Sequence, residues 1–407
     1  MSSRIKVKYF GPIKEGLSEN NGWIEIKKVT IFIGNQGSGK STIAKLISTL
    51  SWIEKVLTRG DFNEREFTAA KFRNTYCGYH RISGYFLKDE TEISYEGESY
   101  KFIYTKQGEF LIEKIQNGLN AYPLPQIMYV PAERNFISMV NKPNLIKQLP
   151  DALLTFLTEY DNAKKEIKGN FNLPVNKAFL EYNKQSDVIF VKGVDYKVKL
   201  TDASSGFHSL VPLYIVSFYL SQSIKEQANN SNKMNSDEIR RFEEGVKSIW
   251  ENKTFTDEQR RAALSVLSAT FNKSAFVNIV EEPEQNLFPS SQWEIMKSLL
   301  AINNSLLANK LIITTHSPYL INVLTIAVKA GILIGRLQDK EELNKVYPID
   351  SVIYPDDIVI YELDENNGSV AKLENYNGLP SDENFLNNFL EESNAVFADL
   401  LDIQQQL

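Results

Sequence analysis

The run Gly34-Asn35-Gln36-Gly37-Ser38-Gly39-Lys40-Ser41 fits GxxxxGKS and constrains the fold more than any other stretch of the chain. Before it, Val29-Thr30-Ile31-Phe32-Ile33 is β-branched and aromatic, the composition of a strand buried on both faces. After it, Ile43, Leu46, Ile47, Leu50 and Ile53 recur at helical spacing. Strand, glycine loop and helix in that order predict an α/β sheet carrying a phosphate-binding loop. Glycines let the backbone approach phosphate oxygens, and the amides of the loop and helix N-terminus point at them. The expected ligand is ATP with Mg²⁺, lined by Gly34, Asn35, Gln36, Gly37, Ser38, Gly39, Lys40, Ser41 and Thr42. Lys40 is placed to reach the β- and γ-phosphates and the Ser41 hydroxyl to ligate the metal.

Composition narrows the setting. A single cysteine, Cys77, rules out a disulfide framework and a CxxC zinc hook, and points to a reducing, cytoplasmic location. The three histidines, His80, His208 and His316, are far apart, so a histidine-rich metal site is not expected. MSSRIKVKYFGPIKEG lacks the apolar core of a signal peptide, and Leu210–Leu220 is short of a membrane span. Of the net charge of −6, the tail from Leu373 contributes seven acids and no Lys or Arg. That balance disfavours a DNA-wrapping protein. Arg65, Lys71, Arg73 and Arg81 interleave with Phe67, Phe72, Tyr76 and Tyr79. They read either as a solvated helical face or as a nucleic-acid patch.

Residues 5–33 read as short strands with turns at Gly11-Pro12 and Asn20-Asn21-Gly22. Alternation predicts antiparallel strands at Thr91–Tyr95, Tyr100–Tyr104 and Phe110–Ile115, and a further strand at Ile127–Val130. A helix should follow Pro150, then strands at Asp187–Val191 and Tyr196–Leu200, then a helical section from about Ser209 to Ala269.

Ligand chemistry in open α/β sheets collects at the carboxyl ends of strands. The strand Ala275–Val280 ends in Glu281-Glu282-Pro283-Glu284, a Walker B pattern with Glu281 where Asp is usual. Glu281 is expected to act through the Mg²⁺ sphere, and Glu282 to orient or deprotonate an attacking water. The strand Leu311–Thr314 leads into Thr315-His316. There His316 is either a satisfied core histidine or a γ-phosphate sensor. Ala203-Ser204-Ser205-Gly206-Phe207 opens a helix with small hydroxyl residues and glycine, as an anion-binding N-terminus does.

Together these four elements resemble the ABC-type ATPases, in their SMC-like soluble branch. The resemblance implies an ABC-type P-loop ATPase fold: a mixed α/β core sheet with an antiparallel β lobe, plus a helical insertion lobe. It makes Ser204, Ser205 and Gly206 a signature loop that meets the γ-phosphate on a partner subunit, with ATP between the copies of a homo-oligomer. Transporter cassettes carry the signature only a couple of dozen residues before Walker B, whereas a long helical stretch separates Gly206 from Glu281 here. Tyr129–Arg134 stands in place of a Q-loop, and Phe207-His208 departs from the usual pair after the signature glycine. The phrases FGPI, GNQGSGKST, YVPAERN, SSGFHS, EEPEQNLFP and THSPYL span residues 10–320 and look like ATPases of bacterial anti-phage systems. In size and motif set the chain resembles the ATPase subunits of the PARIS system. Overcoming-lysogenization-defect and Septu ATPases share much of the pattern.

This reading divides the chain into an N-terminal ATPase lobe (1–142), a signature-bearing helical lobe (143–275), the Walker B and histidine part of the core (276–372) and an acidic amphipathic segment (373–407). About ninety residues follow His316, too few for the TOPRIM domain of the overcoming-lysogenization-defect proteins. Asp356-Asp357 and Asp364-Glu365 read as surface turns. The resemblance therefore implies a separate TOPRIM-type nuclease, held and released by the ATPase when a phage-encoded trigger is sensed. The alternative is an SMC-like DNA-repair or recombination ATPase acting on DNA; a transporter subunit fits the spacing least, and no membrane partner is expected. In the tail, Phe385, Leu386, Phe389, Leu390, Val396, Phe397, Leu400 and Leu401 form an apolar stripe. The stripe is expected to bury itself on the ATPase core, or else to meet a basic partner surface.

Overall fold

The structure, a computed structural model, describes residues 3–115, 122–140, 143, 146, 148–229, 236–252 and 273–405. The chain begins with β1 (Ser3–Lys8), β2 (Gly16–Leu17) and β3 (Ile24–Ile26). It then enters β4 (Val29–Gly34), buried at every position as its apolar run requires. The glycine loop follows and leads into α1 (Lys40–Arg59), closed by Gly60 in a left-handed cap. Beyond α1 come β5 (Glu92–Glu96), β6 (Tyr100–Tyr104), β7 (Phe110–Lys114) and β8 (Pro125–Val130).

The middle of the chain holds α2 (Asp151–Lys165), short strands β9 (Phe171–Asn172), β10 (Phe179–Asn183), β11 (Val188–Lys192) and β12 (Lys197–Lys199), then α3 (Ser205–Asn229) and α4 (Ser236–Glu251). The sequence anticipates two of these four strands, and α3 opens within Ala203–Phe207 as its small residues imply, a turn before the apolar section from Ser209. Residues 253–272 of the expected helical section lie outside the described residues. Last come β13 (Ala275–Glu281), α5 (Pro289–Asn304), β14 (Lys310–Thr315), α6 (Pro318–Ile334), β15 (Ile358–Leu363), β16 (Ser369–Lys372) and α7 (Phe385–Gln405).

One seven-stranded sheet, ordered β2-β16-β15-β4-β14-β13-β8, organises the molecule. Its strands β15, β4, β14, β13 and β8 are mutually parallel, which places their carboxyl ends on one edge. Strand β16 runs antiparallel to β15. A five-stranded antiparallel sheet, β3-β1-β5-β6-β7, covers α1 from the far side. There Ile5, Val7, Phe102 and Tyr95 share one core with Ile43, Leu46, Ile47, Leu50 and Ile53 of α1 and with Ile312 of the main sheet. Each fully buried aliphatic side chain of this kind contributes about 1.5–3 kcal/mol, so α1 and its preceding loop are fixed from two sides. The opposite face of the main sheet packs on α2, α3, α5 and α6 through Phe156, Leu210, Val216, Leu299 and Leu324. This second core also takes Leu180, Ile189 and Val191 from the antiparallel sheet β12-β11-β10-β9.

Packing bears on two surface expectations. In the basic stretch, Phe67 stacks on Tyr76 with centroids 5.0 Å apart and Phe72 stacks on Phe110 at 4.4 Å. The aromatic rings thus turn inward while Arg65, Lys71, Arg73 and Arg81 remain exposed, which both readings of the stretch allow. In the tail, Leu386 packs against the core, but Val396, Phe397, Leu400 and Leu401 are exposed. That corrects the expectation that the stripe buries itself on the ATPase core: α7 projects past the surface that its first turn touches. The side chains of Phe389 and Leu390 lie outside the described ones.

Candidate functional site

The site forms where β4, β13 and β14 end side by side. Gly34 closes β4 at φ 142°, and a Cβ there would come 2.3 Å from the Leu363 carbonyl oxygen, so only glycine fits. Gly39 caps α1 at φ 102° without a side-chain cap bond. The first-turn amides of Lys40, Ser41 and Thr42 therefore point out of the helix with no intrahelical acceptor. The Lys40 ammonium is buried and folds back on the loop, donating to Gly34 O at 2.8 Å and Asn35 O at 2.7 Å. Burial lowers its pKa, against the pull of Glu282, Glu284 and Glu365. A cation with three donors and only two carbonyls has capacity for a further acceptor. The Ser38 hydroxyl is also buried without a partner. Amides, ammonium and hydroxyls carried together on one loop and helix start have the chemistry that a polyphosphate chain requires.

At the end of β13 the paired acids diverge. Glu281 is buried; its Oε2 accepts from Ala132 N at 3.1 Å. Its Oε1 has no hydrogen bond and lies 4.0 Å from Lys45 Nζ, one helical turn beyond Ser41. A buried carboxylate oxygen whose charge is met only by Lys45 at 4.0 Å is a hard donor of the kind Mg²⁺ takes, one or two protein oxygens with phosphate and water completing its shell. Among the described residues no cluster of three or more His, Cys, Asp or Glu forms a self-sufficient metal cage.

Glu282 adopts φ 44°, a left-handed conformation that costs a non-glycine residue about 1 kcal/mol or more. The turn is pinned by Glu282 N donating to Thr314 O at 2.9 Å. His316 Nδ1 lies 3.6 Å from both Glu282 Oε1 and Glu284 Oε1, with its ring half-exposed. Lys40, Glu282 and His316 are thus gathered at one edge, as the sequence anticipates. A cavity of about 400 Å³ opens there, lined by Glu282, Glu284, Asn286, His316 and Tyr319.

Three residues that the sequence left without a role belong to this edge. Glu284 is buried and accepts from Thr315 Oγ1 at 2.7 Å and from His316 N at 3.0 Å, holding the turn that carries the imidazole. Burial raises its pKa. Glu365 reaches from the β15–β16 turn to accept from Asn35 Nδ2 at 2.9 Å. The surface-turn reading is right for the backbone, since Asp364 Oδ1 accepts from Asn366 N at 2.8 Å, but Glu365 also borders the phosphate loop. The third is Arg134, buried beneath the paired acids. The repeated acid in Glu-Glu-Pro-Glu was a visible signal for Glu284; nothing local marked the other two.

Ser204 and Ser205 are exposed at the start of α3, where Ser204 O accepts from Phe207 N and His208 N at 3.0 and 3.2 Å. A Cβ on Gly206 would meet Asn286 O at 3.1 Å. The loop therefore packs on the segment after the paired acids. Among the described residues no hydrogen bond joins 204–206 to 34–42.

No protein-family model and no curated protein matches the chain. Among solved structures it is similar to the SMC head domain from Thermotoga maritima, at 12% identity and TM-score 0.35, covering 92% of this chain and 99% of that one. It is also similar to a Pyrococcus furiosus Smc head domain bound to the C-terminal domain of ScpA, at 10% identity and TM-score 0.36 over 98% and 99% of the two chains. An ATP-binding cassette of an ABC transporter in its ADP conformation aligns at 13% identity and TM-score 0.28, over 92% of each chain. The parallel order of β15, β4, β14, β13 and β8, with the glycine loop closing β4, is what makes this a P-loop α/β fold. No helix among the described residues is long and apolar enough to cross a membrane.

Proposed function

We propose that the chain is an ABC-type ATPase that binds ATP with Mg²⁺ and hydrolyses it between two copies of itself. The observation that carries this reading is the buried Lys40 ammonium inside a glycine loop, under the charges of Glu282 and Glu284. The loop amides and Lys40 hold the β- and γ-phosphates. Glu282 orients the attacking water and takes its proton, while His316, held by Glu284, donates toward the terminal phosphate. Ser41 and Glu281 would hold a magnesium ion, which would supply charge neutralisation to the phosphates. Ser204 and Ser205 are exposed, Gly206 is half-buried against Asn286, and no hydrogen bond among the described residues joins them to the loop of their own chain, which suits them to complete the pocket of a second copy. The test is steady-state ATP hydrolysis by the full chain: turnover should vanish in Lys40→Ala and fall by roughly 10²–10⁴ in Glu282→Gln. Turnover retained in both variants would dismiss the assignment.

The biological role within this reading is control of a separate effector. The motif phrases support an anti-phage defence ATPase that holds a TOPRIM-type nuclease and frees it in response to a phage-encoded trigger. Plaque assays on a host expressing this gene with its neighbour test that role. Protection should require both genes and be lost in Lys40→Ala. Protection from neither combination, together with salt-sensitive binding to double-stranded DNA, would favour the DNA-repair alternative instead.

A further inference from the structure

Arg134 is the largest wholly buried side chain among the described residues, and its hydrogen bonds all go to main-chain carbonyls. Nη1 donates to Pro131 O at 3.2 Å and to Glu281 O at 2.6 Å; Nη2 donates to Glu282 O at 2.6 Å; Nε donates to Ser209 O at 3.0 Å. Burial lowers its pKa to about 10, with Glu284, Glu282, Glu281 and Glu133 pulling the other way, so it stays charged at neutral pH. Sequestering a cation among carbonyls is costly unless the geometry is strongly determined. Here three of the four acceptors belong to functional segments. Two are the peptide carbonyls of the paired acids, including the strained Glu282. The third lies on α3, just past Ser204–Gly206.

The same junction has a second arm. Asn286 Nδ2 donates to Ser209 Oγ at 3.0 Å, linking α3 to the segment after the acids. Ser138 Oγ donates to His208 O at 2.9 Å, tying the neighbouring residue of α3 to the short helix that follows Arg134. A guanidinium is a planar, rigid fork. A shift of the Glu281–Glu282 peptides therefore either breaks two short bonds or moves the fork, and the Ser209 carbonyl with it.

We infer that Arg134 is a positioning residue that couples the acid turn at the end of β13 to the loop opening α3. Occupancy of one pocket thereby changes how that subunit presents Ser204–Gly206 to its neighbour. This rests on the shared pocket proposed above. The experiment compares Arg134→Lys, which keeps the charge but loses the fork, with Ser209→Ala, which cuts only the hydroxyl arm and is the milder change to folding. ATP affinity is measured by calorimetry, ATP-dependent self-association by sedimentation velocity, and kcat and KM separately. Folded variants should keep ATP affinity within about threefold, lose about tenfold or more in ATP-dependent association, and drop in kcat at unchanged KM.

Association equal to the parent in both folded variants would overturn the coupling. So would affinity, association and turnover falling together in step with thermal stability, since that is the mark of a merely structural arginine. A parent protein that does not self-associate in ATP removes the shared pocket first, and the coupling with it.

Discussion

Glu54 offers a quantitative test of the packing that fixes α1. It sits on the buried side of that helix, with Oε1 accepting from Ser99 N at 2.7 Å and Tyr100 N at 3.3 Å, and Oε2 accepting from Tyr95 Oη at 3.2 Å. Burial nevertheless dominates and raises its pKa from the usual 4.5 to about 7; the backbone bonds and Lys310 pull it down, while Glu98 pushes it up. Between those two values the unfolded chain releases the proton and the folded chain keeps it. Stability therefore falls as pH rises through this window, and the full penalty is present above pH 7 or so. A gap of about 2.5 between the pKa values corresponds to roughly 3 kcal/mol. In Glu54→Gln the amide oxygen can still accept from Ser99 and Tyr100 and the amide nitrogen can donate to Tyr95, so chiefly the titration is lost. Urea unfolding of both proteins from pH 4.5 to 8 at fixed ionic strength measures the difference. The variant should gain roughly 3 kcal/mol relative to the parent across that range. Taking the difference also cancels His80, whose burial lowers its pKa to about 3 and gives a stability gain with rising pH. Parallel pH curves for the two proteins would refute the reasoning.

Other outcomes follow from single contacts. Lys40→Ala should lower ATP affinity by about a hundredfold or more in calorimetry, because a buried charge-assisted contact is lost. Glu282→Gln should slow turnover by roughly 10²–10⁴ in a phosphate-release assay while ATP still binds. Gly34→Ala should destabilise by about 1–3 kcal/mol in thermal unfolding, given its φ of 142° and the Leu363 oxygen 2.3 Å from the added methyl. Phe397→Asp with Leu400→Asp should leave stability within about 0.5 kcal/mol, since both side chains are exposed; a large loss would mean that this stripe is buried.

The phosphate loop, β4, β13, β14 and the antiparallel strands β5, β6 and β7 were legible because their patterns are local: an apolar run, a glycine spacing, an alternation. Strand β15 was equally apolar, but the acids on either side drew the reading toward surface turns, and its place beside β4 is a long-range pairing. Glu365 and Asn35 are 330 residues apart, and Arg134 meets Glu281 O across 147; no local period marks such contacts. The α7 stripe shows the converse. Amphipathicity says that a face is suited to cover, not which surface covers it, and here the fold leaves Val396 to Leu401 facing outward.

The shared pocket is tested most directly by sedimentation of Glu282→Gln with saturating ATP and Mg²⁺, alone and combined with Ser204→Glu. Slow turnover should trap a self-associated species that is absent without nucleotide and lost when a carboxylate at position 204 faces a neighbour's phosphate. A protein that stays monomeric in ATP, or that associates equally well with Ser204→Glu, would contradict the account.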